Sequence, residues 1–273
     1  MEVSYYVHDL NPIIFELGWG LKVSWYGLMY VIGFVIGMYL LRYLRKTGFL
    51  PLKTDDDVAD LVTYAMLGVI IGGRLGHVLF YTPGQYFADP LSIFKVWEGG
   101  MASHGGFIAV LLFVRYFAKK RGVELMRILD AIVIAAALGL GFGRFGNFIN
   151  AEMVGKVTDV PWAVIFPMVD ELPRHPVQIY QALTEGPLLF LILWFMPRNK
   201  YAAGTHGSVF LVAYGIFRSI TEYYREIDVD QLGLYFGIIT KGQILSFIMI
   251  AAGILLFWYL NKKKDPGEAK AVS

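Results

Sequence analysis

The segment Gly141-Phe142-Gly143-Arg144-Phe145-Gly146-Asn147-Phe148-Ile149-Asn150-Ala151-Glu152 closes an apolar run that begins near Ile128 and is long enough to cross a bilayer. A guanidinium at membrane depth costs roughly 2.5 to 3.5 kcal/mol on insertion scales, so an Arg set among Gly and Asn marks a site and calls for an anionic partner. The pattern recurs in Gly72-Gly73-Arg74-Leu75-Gly76-His77 and in Phe217-Arg218 with Glu222 and Arg225. The chain reads as one that holds something negatively charged inside a membrane.

Composition agrees with that setting. Of 273 residues, 56% are hydrophobic and 17% charged, the balance of a helical membrane protein rather than a soluble domain. Thirty glycines fit helices that approach closely or break around a pocket, because lipid supplies no hydrophobic force between helices and small residues permit tight contact. Cysteine is absent, which excludes disulfides, thiolate metal sites and an enzyme-borne Cys nucleophile. A net charge of +2 with scattered basic residues offers no stripe for nucleic acid.

Windows of about 20 mainly apolar residues, the length that crosses the hydrocarbon, fall at 24–44, 58–81, 100–118, 127–150, 176–196, 206–225 and 239–261. The expected fold is an all-α integral membrane protein with seven transmembrane helices. The first twenty residues lack a basic leader, and the first apolar stretch is long enough to remain as a span, so no cleavable signal peptide is expected. Arg42, Arg45, Lys46 and Lys53 follow the first span, Arg115, Lys119, Lys120, Arg121 and Arg127 surround the third connection, and Lys262, Lys263, Lys264 and Lys270 mark the tail. By the positive-inside rule these sides are cytoplasmic, with the N-terminus outside and the C-terminus inside. Residues 151–174 carry Pro161, Trp162, Pro167 and Pro173 and cannot form one helix. They predict a small cap on the outer face between the fourth and fifth helices, in which 160–166 is either a short strand or an interfacial segment. Residues 1–264 then make one transmembrane domain, and 265–273, with Pro266 and Gly267, a disordered cytoplasmic tail.

With this topology four polar groups converge on the outer half of the membrane. Ser103-His104-Gly105-Gly106 opens the third span, and His is the side chain best able to accept and return a proton near neutrality. The plainer reading of a lone His is a hydrogen bond within a Gly-rich helix crossing. Arg144 is followed by Asn147, Asn150 and Glu152; Arg offers a planar fork for phosphate and Asn can bond ester or hydroxyl oxygens. The alternative is an internal Arg144–Glu152 pair. Arg174-His175-Pro176-Val177-Gln178-Ile179-Tyr180 stands at the entrance to the fifth span, with Pro176 suited to a first helical turn, and reads either as site or as interfacial anchor. Tyr214, Arg218, Glu222 and Arg225, spaced by four, four and three, share a helical face. Glu222 between two Arg residues holds them for a ligand or simply ties the helix end. Arg74 and His77, one turn apart, serve either helix packing or the same pocket.

Taken in order, Trp25-Tyr26-Gly27, His104-Gly105-Gly106, Gly143 through Glu152 with Gly155, Arg174 through Tyr180, and Arg218 through Arg225 resemble the bacterial prolipoprotein diacylglyceryl transferases over nearly the whole chain. Three positions depart from the family pattern: Ala151 stands where Gly is usual, Val154 where an aromatic is common, and Gln181 where Glu commonly follows the Tyr. The resemblance implies an enzyme that transfers the diacylglyceryl group of phosphatidylglycerol to the lipobox cysteine of a preprolipoprotein, forming a thioether and releasing glycerol phosphate. Its partners would be phosphatidylglycerol, preprolipoprotein signal peptides and membrane lipids, with no cofactor or metal. The nucleophile belongs to the substrate, which suits a chain without cysteine.

On that reading Arg144 and Arg218 clamp the lipid phosphate and His104 serves as base for the thiol. Tyr26, Asn147 and Glu152 orient the lipid and the arginines, Tyr214 steers His104, and Glu222 and Arg225 stand behind them. Asn150, Gly155, Arg174, Gln178 and Tyr180 complete the expected substrate-binding set. A transporter or receptor for an anionic solute would explain the cations but not the order of the motifs. A metal-dependent phosphatidyl transferase would want several aspartates, and Asp55-Asp56-Asp57 reads instead as a helix start. An intramembrane protease lacks its Gly-x-Ser-x-Gly elbow.

Overall fold

The computed structural model describes residues 4–17, 22–81, 89–95, 100–198, 200–226 and 239–262. It is mainly helical. Helix α1 spans Trp25–Lys46, α2 Asp55–Phe80, α3 Ser103–Arg121, α4 Leu125–Ile149, α5 Val177–Leu183, α6 Leu189–Phe195, α7 Thr205–Tyr223 and α8 Lys241–Lys262. A π-turn at Thr184–Leu188 joins α5 to α6. Helices therefore occupy each of the seven apolar windows, the fifth as a broken one. Four of them, α1, α2, α4 and α8, are long and apolar enough to cross a membrane, and the protein is a multi-pass membrane protein. The other tracts carry charge or a break: Arg115 and the basic end of α3, Gly186-Pro187 between α5 and α6, and Arg218 with Glu222 on α7.

The chain forms two compact units, Met38–Leu129 and the remainder, Met1–Gly37 with Asp130–Ser273. In the first, α2 and α3 form an antiparallel pair. Thr54 caps α2 with a full capping box: its side chain accepts from Asp57 N while the Asp57 carboxylate accepts from Thr54 N, and three aspartates lie against the positive end of the helix. Helix α3 stops at Gly122, whose φ of +66° favours a residue without a side chain, after a basic last turn. The crossing is made by small residues. A Cβ on Gly68 would stand 2.7 Å from Val110 Cα, and one on Gly76 2.9 Å from Gly105 Cα. At the other end Arg121 Nη1 meets Asp57 Oδ1 at 2.9 Å.

In the second unit α7 and α8 pack antiparallel, with Gly215 against Ser246 and Ile250 and Gly253 against Ser208 and Leu211. Gly33 and Gly37 of α1 face Gly139 and Ala135 of α4. This unit also contains strands that the all-α expectation did not include. Strand β1 (Tyr6–Val7) pairs parallel with β4 (Val164–Ile165), which pairs antiparallel with β5 (Pro173–Arg174), while β2 (Ile13–Glu16) and β3 (Lys22–Ser24) form a ribbon leading into α1. Residues 151–174, where a cap was expected, contribute β4 and β5 to a three-stranded sheet completed by β1. Within 160–166, Val164–Ile165 is a strand, because a proline-interrupted segment must pair its backbone groups with a neighbour rather than within a helix. Ala151, Val154, Val164 and Phe166 form its apolar core, with Phe148 packed against them. The expected disordered tail lies outside the described residues.

Candidate active site

The centre of the site is a carboxylate between two arginines. Arg144, near the end of α4, donates from Nε to Glu185 Oε2 at 2.8 Å. Arg218 of α7 places Nη1 3.9 Å from Glu185 Oε1. Glu185 is 0% exposed. It reaches both because the helix breaks where it stands. Gly186 has non-helical angles and Pro187 cannot donate to the turn before it, which opens the π-turn. Gly141 and Gly186 then let the two backbones touch; a Cβ on Gly141 would lie 2.8 Å from Gly186 Cα.

The opposite side of Arg218 is held by Glu222, Nη2 to Oε2 at 2.8 Å, and Arg225 Nη1 lies 3.6 Å from Glu222 Oε1. The i, i+4 and i, i+3 spacing read from the sequence therefore makes the contacts expected of it. Tyr214, one turn before Arg218 on α7, lies within electrostatic reach of both Arg144 and Arg218. Arg218 Nη1 is buried without a hydrogen-bond partner among the described residues, as is Glu185 Oε1.

The Arg144–Glu152 pair weighed as an alternative does not form, because Glu185 takes Arg144. Glu152 instead accepts from Asn147 Nδ2 at 2.9 Å and from Asn150 Nδ2 at 3.1 Å. Its main-chain carbonyl accepts from Gln178 Nε2 at 2.6 Å, so the turn after α4 is tied to α5. Asn147 is buried and Glu152 exposed, which opens this cluster to the surface. Tyr26 packs against the same stretch: a Cβ on Gly146 would lie 2.8 Å from its Cδ2, and its hydroxyl pairs with Tyr30 at 3.2 Å. Gly146, two residues after Arg144, thus makes room for an aromatic ring.

Arg174 lies in the cap, where its donors are committed. Nε donates to Asp170 Oδ1 at 3.0 Å, Nη1 to Gly155 O at 3.0 Å and Glu226 Oε2 at 3.1 Å, and Nη2 pairs with Asp170. Gly155 N donates to His175 O at 3.1 Å, and Lys156 N to Tyr224 O at 2.8 Å, so 155–156 is held between β5 and the end of α7. Gly155 has no room for a side chain: a Cβ would stand 2.6 Å from His175 Cβ and 2.7 Å from Val177 Cγ2. Tyr180 Oη accepts from Trp162 Nε1 at 2.7 Å and meets His175 Nδ1 at 3.1 Å. Hydrogen bonding to the Arg174 guanidinium holds the Asp170 carboxyl below the usual carboxylate range. Burial, then the charge of Lys156, lowers the His175 imidazole.

Of the expected residues, Tyr26, Arg144, Asn147, Asn150, Glu152, Gly155, Arg174, Gln178, Tyr180, Tyr214, Arg218, Glu222 and Arg225 all belong to this one unit. His104 belongs to the other, exposed in the first turn of α3. Arg74 is part of that unit's packing, donating from Nε to Ile93 O at 2.9 Å and from Nη1 to Gly100 O at 3.3 Å. The residue that sequence reasoning missed is Glu185. The signal was there: an acid inside the fifth apolar window, next to Gly186-Pro187, carries the same insertion cost as Arg144.

Comparison with known proteins places these residues in a family. The profile of the prolipoprotein diacylglyceryl transferases matches residues 12–259. A phosphatidylglycerol–prolipoprotein diacylglyceryl transferase of Geobacter sulfurreducens is 45% identical over 255 residues, 93% of this chain and 97% of the relative. Proteins of the same name from Pseudomonas syringae pv. syringae and Pseudomonas entomophila are 45% and 46% identical, over 97% and 96% of this chain and 98% and 97% of their own lengths.

Proposed function

The chain belongs to the prolipoprotein diacylglyceryl transferase family, and from that membership we propose that it transfers the diacylglyceryl group of phosphatidylglycerol to the lipobox cysteine of a preprolipoprotein signal peptide. The sulfur attacks the glyceryl carbon that bears the phosphate ester oxygen. The carbon–oxygen bond breaks, a thioether forms, and the electron pair leaves with glycerol phosphate. The substrate phosphodiester carries one negative charge and the departing monoester gains a second, so the barrier falls if cations already face the leaving oxygen.

The observation that carries this reading is the sharing of Glu185 by Arg144 and Arg218. Two guanidinia from different helices, oriented by one buried carboxylate, form a forked receptor for a phosphate group. Glu222 holds the far side of Arg218 and Tyr214 stands beside the pair, while Asn147, Asn150, Glu152 and Gln178 supply polar groups for the glycerol and ester oxygens. Tyr26 bounds the site on the α1 side. Arg174 and Gly155 act through the cap that they tie down, and Tyr180 and Arg225 through the aromatic and ionic contacts at its edge. A free thiol has a pKa of about 8.5, so its proton must be drawn off near neutrality. His104 is the proposed acceptor.

Seven crossings with the N-terminus outside belong to the same proposal. Lys46 at the end of α1, Lys119 to Arg121 at the end of α3 and Lys262 at the end of α8 mark the cytoplasmic side. Arg144 and Arg218, at the opposite ends of their helices, then face the outer leaflet of the inner membrane. No nucleic acid or cofactor takes part.

The deciding experiment incubates purified enzyme with phosphatidylglycerol and a lipobox peptide, following peptide mass and released glycerol phosphate together. A diacylglyceryl mass gain that requires the peptide thiol, with equal release of glycerol phosphate, is expected; Arg144→Ala abolishes both while the protein remains folded. Binding of lipid and peptide without either product would favour an anion-binding protein instead.

A further inference from the structure

Asp130, in the second turn of α4, is fully buried, and no step of the proposed reaction uses it. An acid within an apolar span carries an insertion cost, so its contacts call for a reason. Its carboxyl accepts two main-chain hydrogen bonds from the start of α7: Oδ2 from Gly204 N at 2.7 Å and Oδ1 from Gly207 N at 2.9 Å. Gly204 sits at φ +93°, a conformation that disfavours any side chain.

The numbering of the two helices shows what this tie controls. Arg144 follows Asp130 by fourteen residues on α4, and Arg218 follows Gly204 by fourteen on α7. At 1.5 Å per residue each arginine stands about 21 Å along its helix from the same tie. Beyond that distance Glu185 receives both. The two helices therefore run in one direction, tied directly at Asp130 and through Glu185 at the arginines, and sliding either along its axis strains both ties.

We infer that Asp130 is a positioning residue: by holding the N–H groups of Gly204 and Gly207 it sets the axial register of α7 on α4, and with it the separation of the Arg144 and Arg218 guanidinia. The inference rests on the reading that these two guanidinia hold the lipid phosphate. A slip of one residue moves an arginine by about 1.5 Å, and a displacement of about 1 Å at a reacting centre is enough to lower a rate about a hundredfold.

The test uses the full chain in phosphatidylglycerol vesicles with a lipobox peptide. It compares wild type, Asp130→Asn, Arg218→Lys and the double variant for turnover and for inhibition by added glycerol phosphate. Asp130→Asn is expected to lower turnover about tenfold to a hundredfold and to weaken glycerol phosphate inhibition. The double variant should match Arg218→Lys alone to within about twofold, since both changes act on one pair. A change that merely reduced the folded fraction would lower turnover, leave the inhibition constant unmoved and multiply with Arg218→Lys. That result overturns the inference, as does wild-type turnover in Asp130→Asn. Asn261→Ala, which removes the bond from Asn261 Nδ2 to Thr205 Oγ1 at the same helix start, should leave turnover near wild type. If Asp130→Asn does not fold, Asp130→Glu keeps the acceptor on a longer arm and is read by the same criteria. Wild-type turnover in Arg218→Lys would sink the phosphate clamp itself, an outcome distinct from a silent Asp130→Asn beside an impaired Arg218→Lys.

Discussion

Arg144 Nε donates to Glu185 Oε2 at 2.8 Å, and that carboxylate is wholly buried at a break in the fifth helical tract. Its other oxygen faces Arg218, so one acid orients the two cations from α4 and α7. Glu185→Gln removes the shared charge and leaves two guanidinia to repel each other. Stability should fall by about 3 kcal/mol, the scale for breaking one partner of a buried pair, and transfer should fall with it. Thermal unfolding in detergent and the coupled peptide and glycerol phosphate assay read the two effects; an unchanged melt would remove Glu185 from this role.

His104 carries the proposal of a proton acceptor. His104→Gln keeps a polar side chain of similar reach but cannot take a proton, and turnover should drop about a hundredfold or more at neutral pH, within the range for general bases. Most of the loss should return at high pH, where the substrate thiol ionises unaided. A variant that retains most of its turnover at pH 7 takes His104 out of catalysis and leaves stabilisation of the thiolate to the arginines.

Ala151 occupies φ +52° in the turn after α4, a left-handed conformation that costs an ordinary residue roughly 1–2 kcal/mol. Ala151→Gly should raise stability by about 0.5–1 kcal/mol, the strain relieved less the added freedom of the unfolded chain. Denaturation in detergent measures it. Ala151→Val should move the melt the other way, because a β-branched side chain tolerates this backbone least.

Gly155→Ala places a methyl group against His175 and Val177, with no flexible side-chain end to yield on the His175 side. The cap should loosen by about 1–3 kcal/mol, the usual range for forced overpacking, and transfer should fall. Limited proteolysis within 151–174 reports the loosening directly. A protease-resistant, active Gly155→Ala enzyme would contradict this account of the cap.

The cap should also weaken in acid. Asp170 is held below its ordinary pKa by Arg174, so the unfolded cap binds the proton first. The Asp170–Arg174 contribution is complete above the ordinary aspartate value of about 3.9 and is lost as pH falls through the lower folded value. His175 is likewise lowered, by burial and Lys156, so the unfolded cap takes up a proton below about 6.5 and stability declines from there downward. Hydrogen-exchange protection across 151–174, taken relative to the intrinsic exchange rate at each pH, should therefore fall between pH 7 and 5 in wild type. His175→Gln should flatten that limb, and Asp170→Asn the one at lower pH.

Much of this protein is local, and local features are legible in a chain read alone. Apolar windows found each helix because a span must satisfy its own backbone, and the capping of α2 follows from Thr54 and Asp57 three residues apart. The spacing of Arg218, Glu222 and Arg225 carried their ion pairs, since neighbours on a helix face are set by its pitch. Ordered motifs around Arg144, Arg174 and Arg218 were enough to point to the family. What the chain alone left open depends on partners distant in sequence. Arg144 had a carboxylate eight residues away in Glu152, yet pairs with Glu185, forty-one residues on, because the Gly186-Pro187 break and the Gly141–Gly186 contact bring that acid to it. The cap's sheet needed β1 from the N-terminal region to pair with β4, and the register of α7 on α4 needed Asp130 to meet Gly204. Helical pitch is written in each residue's own neighbourhood, but which buried charge answers which is decided only when helices pack, where the alternative is an ion left alone in a medium that cannot solvate it.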